Sequence, residues 1–342
     1  CMHWIRNYKI DGFRFDLMEL IDINTTKEIV RKSIKLDQNF LIYGEPWKGG
    51  NSPLMNGTFK GSQRNENFSV FNDTFRDAIR GDNNPSNGFI NGKQHNNICN
   101  WTIIEGLKGS IYTLTSNPKE SINYVDAHDN YTLWDQIEKS QNLSLSQGNY
   151  RKNIGIYPLD NILVRQNLLG LAILFTAQGI PFIQHGSEFL RTKQGDHNSY
   201  RSSDEINSIK WSDKYRFRDV FNYIKGLIDI RKKLPYFNID NVEIIKNKAK
   251  FIFANNNENS GVIINHIDLS EYDNGEIIVI YNATDIDNYD VNSYIPISKT
   301  GYWNIIANDK ISGLKILEKV NCNEIPKLKS FSIMILCNKI NK

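Results

Sequence analysis

Three carboxylic acids stand at the ends of short apolar runs that read as strands. Asp16 follows Gly12-Phe13-Arg14-Phe15, Glu45 follows Phe40-Leu41-Ile42-Tyr43-Gly44, and Asp129 follows the run that begins Ile122-Asn123-Tyr124-Val125. One acid after one strand is most simply a helix cap. Three, each in a distinctive string, point to convergence on one site. Two carboxyl groups about 5–5.5 Å apart can cleave a glycosidic bond with retention, one attacking the anomeric carbon and one protonating the leaving oxygen. The attacking group must stay ionised. Arg14 lies two residues before Asp16, on the same face of an extended strand, where a guanidinium favours the charged form. Glu45 is bordered by Tyr43, Pro46 and Trp47, an apolar wall that raises a carboxyl pKa as a general acid requires. Asp129 beside His128 suits a third carboxylate that holds sugar hydroxyls and steadies an oxocarbenium-like transition state.

Acids so distant in sequence meet only if the strands carrying them are parallel and end on one mouth. The chain up to Pro235 alternates apolar runs with helical segments, the pattern of repeated strand–helix units. Runs at 12–16, 40–45, 68–71, 122–125 and 180–184 read as five strands. Helices are expected after Asn24 (Thr25 and Glu28 have capping-box spacing), at 73–79, from Asn161 to Ala177, and from about Phe217 to Lys233. A closed (β/α)8 TIM barrel needs eight such units. The expectation is therefore an incomplete barrel, strands four to eight, over 1–235. The opening Cys1-Met2-His3-Trp4 reads as an internal start, with an N-terminal part of the same protein expected upstream. Unpaired edge strands invite aggregation, so these 342 residues expressed alone are expected to be insoluble or inactive. Residues 236–342 change texture: runs such as Val242-Glu243-Ile244-Ile245, Lys250-Phe251-Ile252-Phe253, 261–264, 276–281 and 331–336, split by Asn, Asp and Gly turns, read as a C-terminal β-sandwich domain. The stretch 254–259 reads as a hairpin turn.

Composition narrows the class of partner. The net charge is +3 and spread along the chain, with no basic arm for nucleic acid. No apolar run approaches the ~20 residues that span a bilayer. Cys1, Cys99, Cys322 and Cys337 show neither paired nor His-linked metal spacing. His3 and His95 have no partner in the sequence, and the sequons at Asn67 and Asn142 are expected by chance in an Asn-rich chain. Compartment is left open.

The strings themselves resemble a known family. Asp11-Gly12-Phe13-Arg14-Phe15-Asp16-Leu17-Met18, Tyr43-Gly44-Glu45-Pro46-Trp47 and Val125-Asp126-Ala127-His128-Asp129-Asn130 resemble the second, third and fourth conserved regions of the α-amylase superfamily. Within it, His128-Asp129-Asn130-Tyr131-Thr132-Leu133-Trp134-Asp135, the run 71–79, and Gln178 to Trp211 are similar to type I pullulanases. The likeness covers nearly all of 5–235 and is only general beyond. It departs at Glu19, where the family usually has Gly, and at His185-Gly186-Ser187.

That resemblance implies a retaining hydrolase of α-1,6-glucosidic linkages in pullulan, starch or glycogen-type glucans. Asp16 is then the nucleophile, Glu45 the acid/base and Asp129 the transition-state stabiliser, with Arg14, His128 and Asn130 on the sugar. Trp47 either lines the sugar site or merely packs. Asp196 and Tyr200, after the last barrel strand, are candidates for substrate hydroxyls against the plainer reading of an ordinary loop. No cofactor is required; the superfamily admits calcium, but no metal ligand set is readable. Rival readings are an α-1,4-acting amylase or glucan transglycosylase, which would share the three acids, and a non-catalytic carbohydrate-binding homologue.

Overall fold

The computed structural model describes residues 1–84, 86–92, 97–141 and 150–340; His95 and the sequon at Asn142 lie outside them. The elements run α1 (Met2–Tyr8), β1 (Gly12–Phe15), α2 (Ile23–Ile34), β2 (Leu41–Gly44), β3 (Ser69–Phe71), α3 (Asp73–Arg80), α4 (Asn97–Leu107), β4 (Ser121–Asn123), α5 (Leu133–Ser140), α6 (Ile162–Thr176) and β5 (Ile180–Pro181). Then come α7 (Asp204–Asn207), α8 (Ser212–Arg216), α9 (Arg218–Lys233) and α10 (Val242–Lys248). Last are β6 (Ala249–Phe253), β7 (Val262–Asp268), β8 (Glu276–Asn282), β9 (Tyr302–Ala307), β10 (Glu318–Asn321) and β11 (Ser332–Cys337).

Strands β1 to β5 form one parallel sheet in sequence order. Its register matters most at the first pair, where Phe15 lies opposite Gly44. The next residue on each strand is an acid. The Glu45 amide donates to the Phe15 carbonyl at 3.1 Å, and the Met18 amide to the Glu45 carbonyl at 2.8 Å, so the pairing continues past both strands. The inner strands β3 and β4 are buried throughout, whereas β1 is only half-buried along its length.

The helices are set by their caps. Asp22 accepts from the Thr25 amide at 3.0 Å and starts α2 three residues before the predicted Thr25 cap, because an Asp oxygen reaches the free amides of the first turn. Asn161 caps α6, and Asn72 caps α3. Arg231 of α9 donates to the carbonyls of Phe175 (3.0 Å), Ala177 (2.6 Å) and Gly179 (2.5 Å). A cation there satisfies the orphan carbonyls at the α6 terminus and fixes the entry into β5.

The C-terminal part forms one six-stranded antiparallel sheet, ordered β10-β9-β11-β8-β7-β6. The sequence had suggested a sandwich; the described residues hold a single sheet with both faces covered. Ile263, Val279, Tyr281, Ile333 and Ile335 join the large core with α6 and α9, while Ile264, Ile278, Ile280, Met334 and Leu336 face a second core with Val291, Ile295 and Leu328 from loops. Burial on both faces explains the uninterrupted apolar runs, which do not distinguish a sheet partner from a helix partner. The run Val242-Glu243-Ile244-Ile245, read as a strand, is helical in α10. Asn241 caps it, accepting from the Glu243 amide at 3.0 Å and the Ile244 amide at 3.3 Å. Strands β9 and β10 had no distinct sequence signal. The turn at 254–259 does join antiparallel β6 and β7, with Asn255 and Asn256 left-handed.

Helix α9 meets the C-terminal part closely enough that a Cβ on Gly226 would stand 2.0 Å from the Ser312 main-chain oxygen. Backbone cannot yield as a side chain can. Gly226→Ala should therefore cost about 1–3 kcal/mol, read as a lower urea midpoint. Gly155→Ala, at an open position, should change stability by less than about 0.5 kcal/mol. Equal midpoints for the two variants would refute the close packing.

Candidate active site

A cavity of about 800 Å³ opens at the carboxyl ends of the parallel strands. Among its lining residues are Arg14, Asp16, Glu45, Trp47, His128, Asp129 and Asn130. All three acids singled out in the sequence thus line one opening, together with four of the six candidate substrate residues.

Asp16 and Glu45 arrive by register, since each follows one member of the Phe15–Gly44 pair. Arg14 then joins them. Its Nη1 donates to Asp16 Oδ1 at 2.8 Å, and its Nη2 donates to Glu45 Oε1. The sequence suggested only the first of these contacts. A planar fork offering several N–H groups can serve two carboxylates at once. The other Glu45 oxygen accepts from the Leu17 amide at 3.0 Å, Leu17 having a left-handed φ of 40° that turns its N–H inward.

The two acids differ in surroundings. The Asp16 side chain is 67% exposed and that of Glu45 10%. Burial pushes the Glu45 carboxyl above its ordinary range. The Leu17 amide and the Arg14 charge pull it back, and the neighbouring Asp16 carboxylate pushes it up again, by charge and by hydrogen bonding. The net direction is upward, which favours a protonated group able to donate.

Asp129 comes from further along the chain than the sequence implied. Strand β4 ends at Asn123, and Asp129 lies in the loop that follows. That loop is fixed at Asp126, which is buried and accepts from the Leu133 amide (3.0 Å) and the Ser187 hydroxyl (2.7 Å). His128 Nε2 stands 3.5 Å from Asp129 Oδ2, both side chains being largely exposed. Asn130 takes a left-handed φ of 61°, a conformation Asn tolerates better than most residues.

Trp47 both lines the cavity and packs, its ring centroid 6.3 Å from that of Phe71. Asp196 and Tyr200 are not brought in. Asp196 accepts from the Ser202 hydroxyl at 2.5 Å and the Asn198 amide at 2.9 Å, closing its own loop. Tyr200 is exposed with the Arg201 guanidinium 5.0 Å from its ring. Glu19, the departure below the mouth, sits 3.6 Å from Lys48 Nζ.

Sequence reasoning missed the opposite wall: Asp73, Arg76, Arg80, Asn83 and Tyr124. Arg76 donates to the Tyr124 hydroxyl at 2.7 Å, and Arg80 donates to Asn83 Oδ1 at 2.8 Å. It also missed the aromatic floor, in which Phe71 meets Tyr43, Tyr124 and Phe182 edge-on at 5.6, 4.9 and 5.3 Å. The available signal was that Phe71, Asp73 and Tyr124 lie at or just beyond strand ends, and that Arg76 and Arg80 stand four residues apart on α3. Among the described residues, no group of three or more His, Cys, Asp or Glu side chains is arranged to hold a metal ion. No helix there is long and apolar enough to cross a membrane, and no disulfide joins the four cysteines.

A scan against protein-family models finds no match. The pullulanase of Bacillus subtilis (strain 168) is 33% identical over 294 residues, covering 83% of this chain. A glycogen operon protein GlgX homolog of Mycobacterium tuberculosis (strain ATCC 25618 / H37Rv) is 28% identical over 261 residues, 69% of this chain. The solved pullulanase of Bacillus acidopullulyticus superposes over 98% of this chain with a TM-score of 0.82 and 32% identity. The chain belongs to the α-amylase superfamily, among pullulanases and glycogen debranching enzymes. A pullulanase of Anoxybacillus sp. LM18-11 solved with maltotriose gives a TM-score of 0.80 at 28% identity over 99% of the chain. The chain spans 38% of the B. subtilis pullulanase, 34% of the GlgX homolog and 39% of the B. acidopullulyticus structure. These relatives make α-glucan debranching the activity of the family.

Removing the Arg14 cation takes away one of the two influences that hold the Glu45 carboxyl down. Glu45 should titrate above the ordinary glutamate range, and Arg14→Leu should move it higher still, measured by carboxyl-carbon NMR. A Glu45 that titrates normally, or falls in the variant, would contradict the balance described here.

Proposed function

We propose that this chain carries the catalytic centre of a retaining hydrolase acting on α-1,6-glucosidic branch points in pullulan, starch or glycogen-type glucans. Asp16 attacks the anomeric carbon while Glu45 gives its proton to the leaving oxygen, forming a glycosyl ester. Glu45 then takes a proton from water, and the hydroxide displaces Asp16 with a second inversion. Asp129 faces the positive charge that develops on the sugar ring in both steps. Arg14, His128 and Asn130 orient the sugar, with Trp47 as an apolar wall.

The observation that carries this reading is the lining of one cavity by all three acids, two of them on one guanidinium. The raised Glu45 supports its role as acid, and the exposed Asp16 beside Arg14 suits a nucleophile. We take the parallel sheet to be five strands of a (β/α)8 barrel over residues 1–235, with 236–342 as a C-terminal β domain. On this view three further strand–helix units pair with the free edges of β1 and β5. Both carboxyls supply the acid and the nucleophile, so no cofactor is invoked. Dialysis against a chelator should leave turnover unchanged.

The full-length protein should release maltotriose from pullulan, with the α-anomer formed first by proton NMR. Oligomers still containing the α-1,6 bond would point instead to an α-1,4-acting enzyme. Asp16→Asn should lower turnover on the order of 10⁴-fold and keep glucan binding by calorimetry. A parent that binds glucan without turnover would overturn the hydrolase in favour of a binding homologue.

A further inference from the structure

Lys193 is 1% exposed, and lysines are almost never that deeply buried unless paired. Its Nζ donates at 3.0 Å to a main-chain carbonyl, that of His128, rather than to a carboxylate. This carbonyl belongs to the peptide joining His128 to Asp129. The next residue, Asn130, is left-handed, and Asp129 between them lines the cavity.

The lysine is itself held firmly. Its amide donates to Asp135 Oδ2 at 2.7 Å, and the Thr192 hydroxyl donates to Asp135 Oδ1. Asp135 lies in the first turn of α5, where its amide donates to the capping Thr132 hydroxyl at 3.1 Å. The loop carrying Asp129 is therefore anchored on both sides by the segment after β5. Ser187 holds Asp126 ahead of it, and Thr192 with Lys193 holds Asp135 beyond it. Between those anchors Lys193 reaches back to the His128 carbonyl.

Charge points the same way. Burial draws the Lys193 ammonium below its usual range. Asp135 pulls it upward, Arg191 repels it, and Asp196 and Asp129 add upward pull.

We propose that Lys193 is a positioning residue for the reaction, fixing the His128–Asp129 peptide so that the Asp129 carboxylate keeps its place in the cavity lining. This rests on the reading of Asp129 as the group that faces the transition state. Lysine fits the task because a compact ammonium on a flexible stem carries three donors into a tight space.

The test uses the full-length protein acting on pullulan, with Lys193→Met, Lys193→Gln and Lys193→Arg. Methionine keeps the unbranched apolar stem and removes donor and charge. Misplacing a reacting group by about 1 Å can cost ~10²-fold in rate, so Lys193→Met should lower kcat about 10- to 100-fold. KM should stay within about threefold, as expected when an interaction made only in the transition state is lost. Lys193→Gln keeps a neutral donor and should lose less of kcat than Lys193→Met, while Lys193→Arg should restore most of kcat. A folded Lys193→Met with unchanged kcat overturns the proposal, as does a loss of kcat accompanied by an equally large rise in KM. If Lys193→Met does not fold, a folded Lys193→Arg with kcat no better than that of Lys193→Gln overturns it. Asp16→Asn is measured alongside. Should that variant keep full activity, the assignment of the site fails whatever Lys193 does. Should it lose activity while the Lys193 variants keep theirs, the positioning role alone fails.

Discussion

One guanidinium organises the cavity at the ends of the parallel strands. Arg14 is bound to Asp16 through one nitrogen and to Glu45 through another, so it fixes the mutual position of two acids from different strands. A cation shared by both does not by itself distinguish them, as the proposed reading requires. The difference between them has to come from elsewhere, and it comes from depth. Asp16 stands mostly in solvent beside the cation, whereas Glu45 is buried beneath it, and burial outweighs the opposing pull of Arg14 and the Leu17 amide. Unequal burial of two like groups that share one cation is a general way for them to take opposite roles.

The scaffold serves this arrangement through its register. Parallel pairing of Phe15 with Gly44 brings the two following residues side by side. A slip of one residue would turn one of the acids toward the opposite face. Phe71 and its aromatic neighbours form the floor and exclude water from below, which strengthens the electrostatic contrast above it. The third acid reaches the same mouth differently. Asp129 rides a loop pinned by buried polar contacts to the segment after β5. Polar pins of this kind are directional, so they can define a loop where a strand would define itself.

The antiparallel sheet belongs to the same packing problem. One of its faces shares a core with α6 and α9, and the Thr176 hydroxyl and Tyr281 hydroxyl meet at 2.7 Å across that boundary. Arg231, from the helix between the two sheets, ties the end of α6 to the start of β5. The C-terminal part thereby stiffens the helix that feeds the last parallel strand, and with it the segment carrying Ser187, Thr192 and Lys193.

The amino-acid sequence by itself determined which residues could do chemistry and roughly where the strands carrying them lie. Asp16, Glu45 and Asp129 were legible because each follows an apolar run, and Arg14 because strand periodicity places it on the face of Asp16. The strings around them carried the family. Only the tertiary structure decided that Arg14 also holds Glu45, since that contact spans 31 residues and depends on strand register. It likewise decided that Asp196 and Tyr200 stay out of the cavity while Arg76, Arg80 and Tyr124 enter it, because neither the path of a loop nor the direction in which α3 turns its polar face is written in the sequence. The run at 242–245 became a helix because the Asn241 cap prevailed over β-branched composition. The expected sandwich became a single sheet because an apolar strand face looks the same in sequence whether a helix or a sheet covers it.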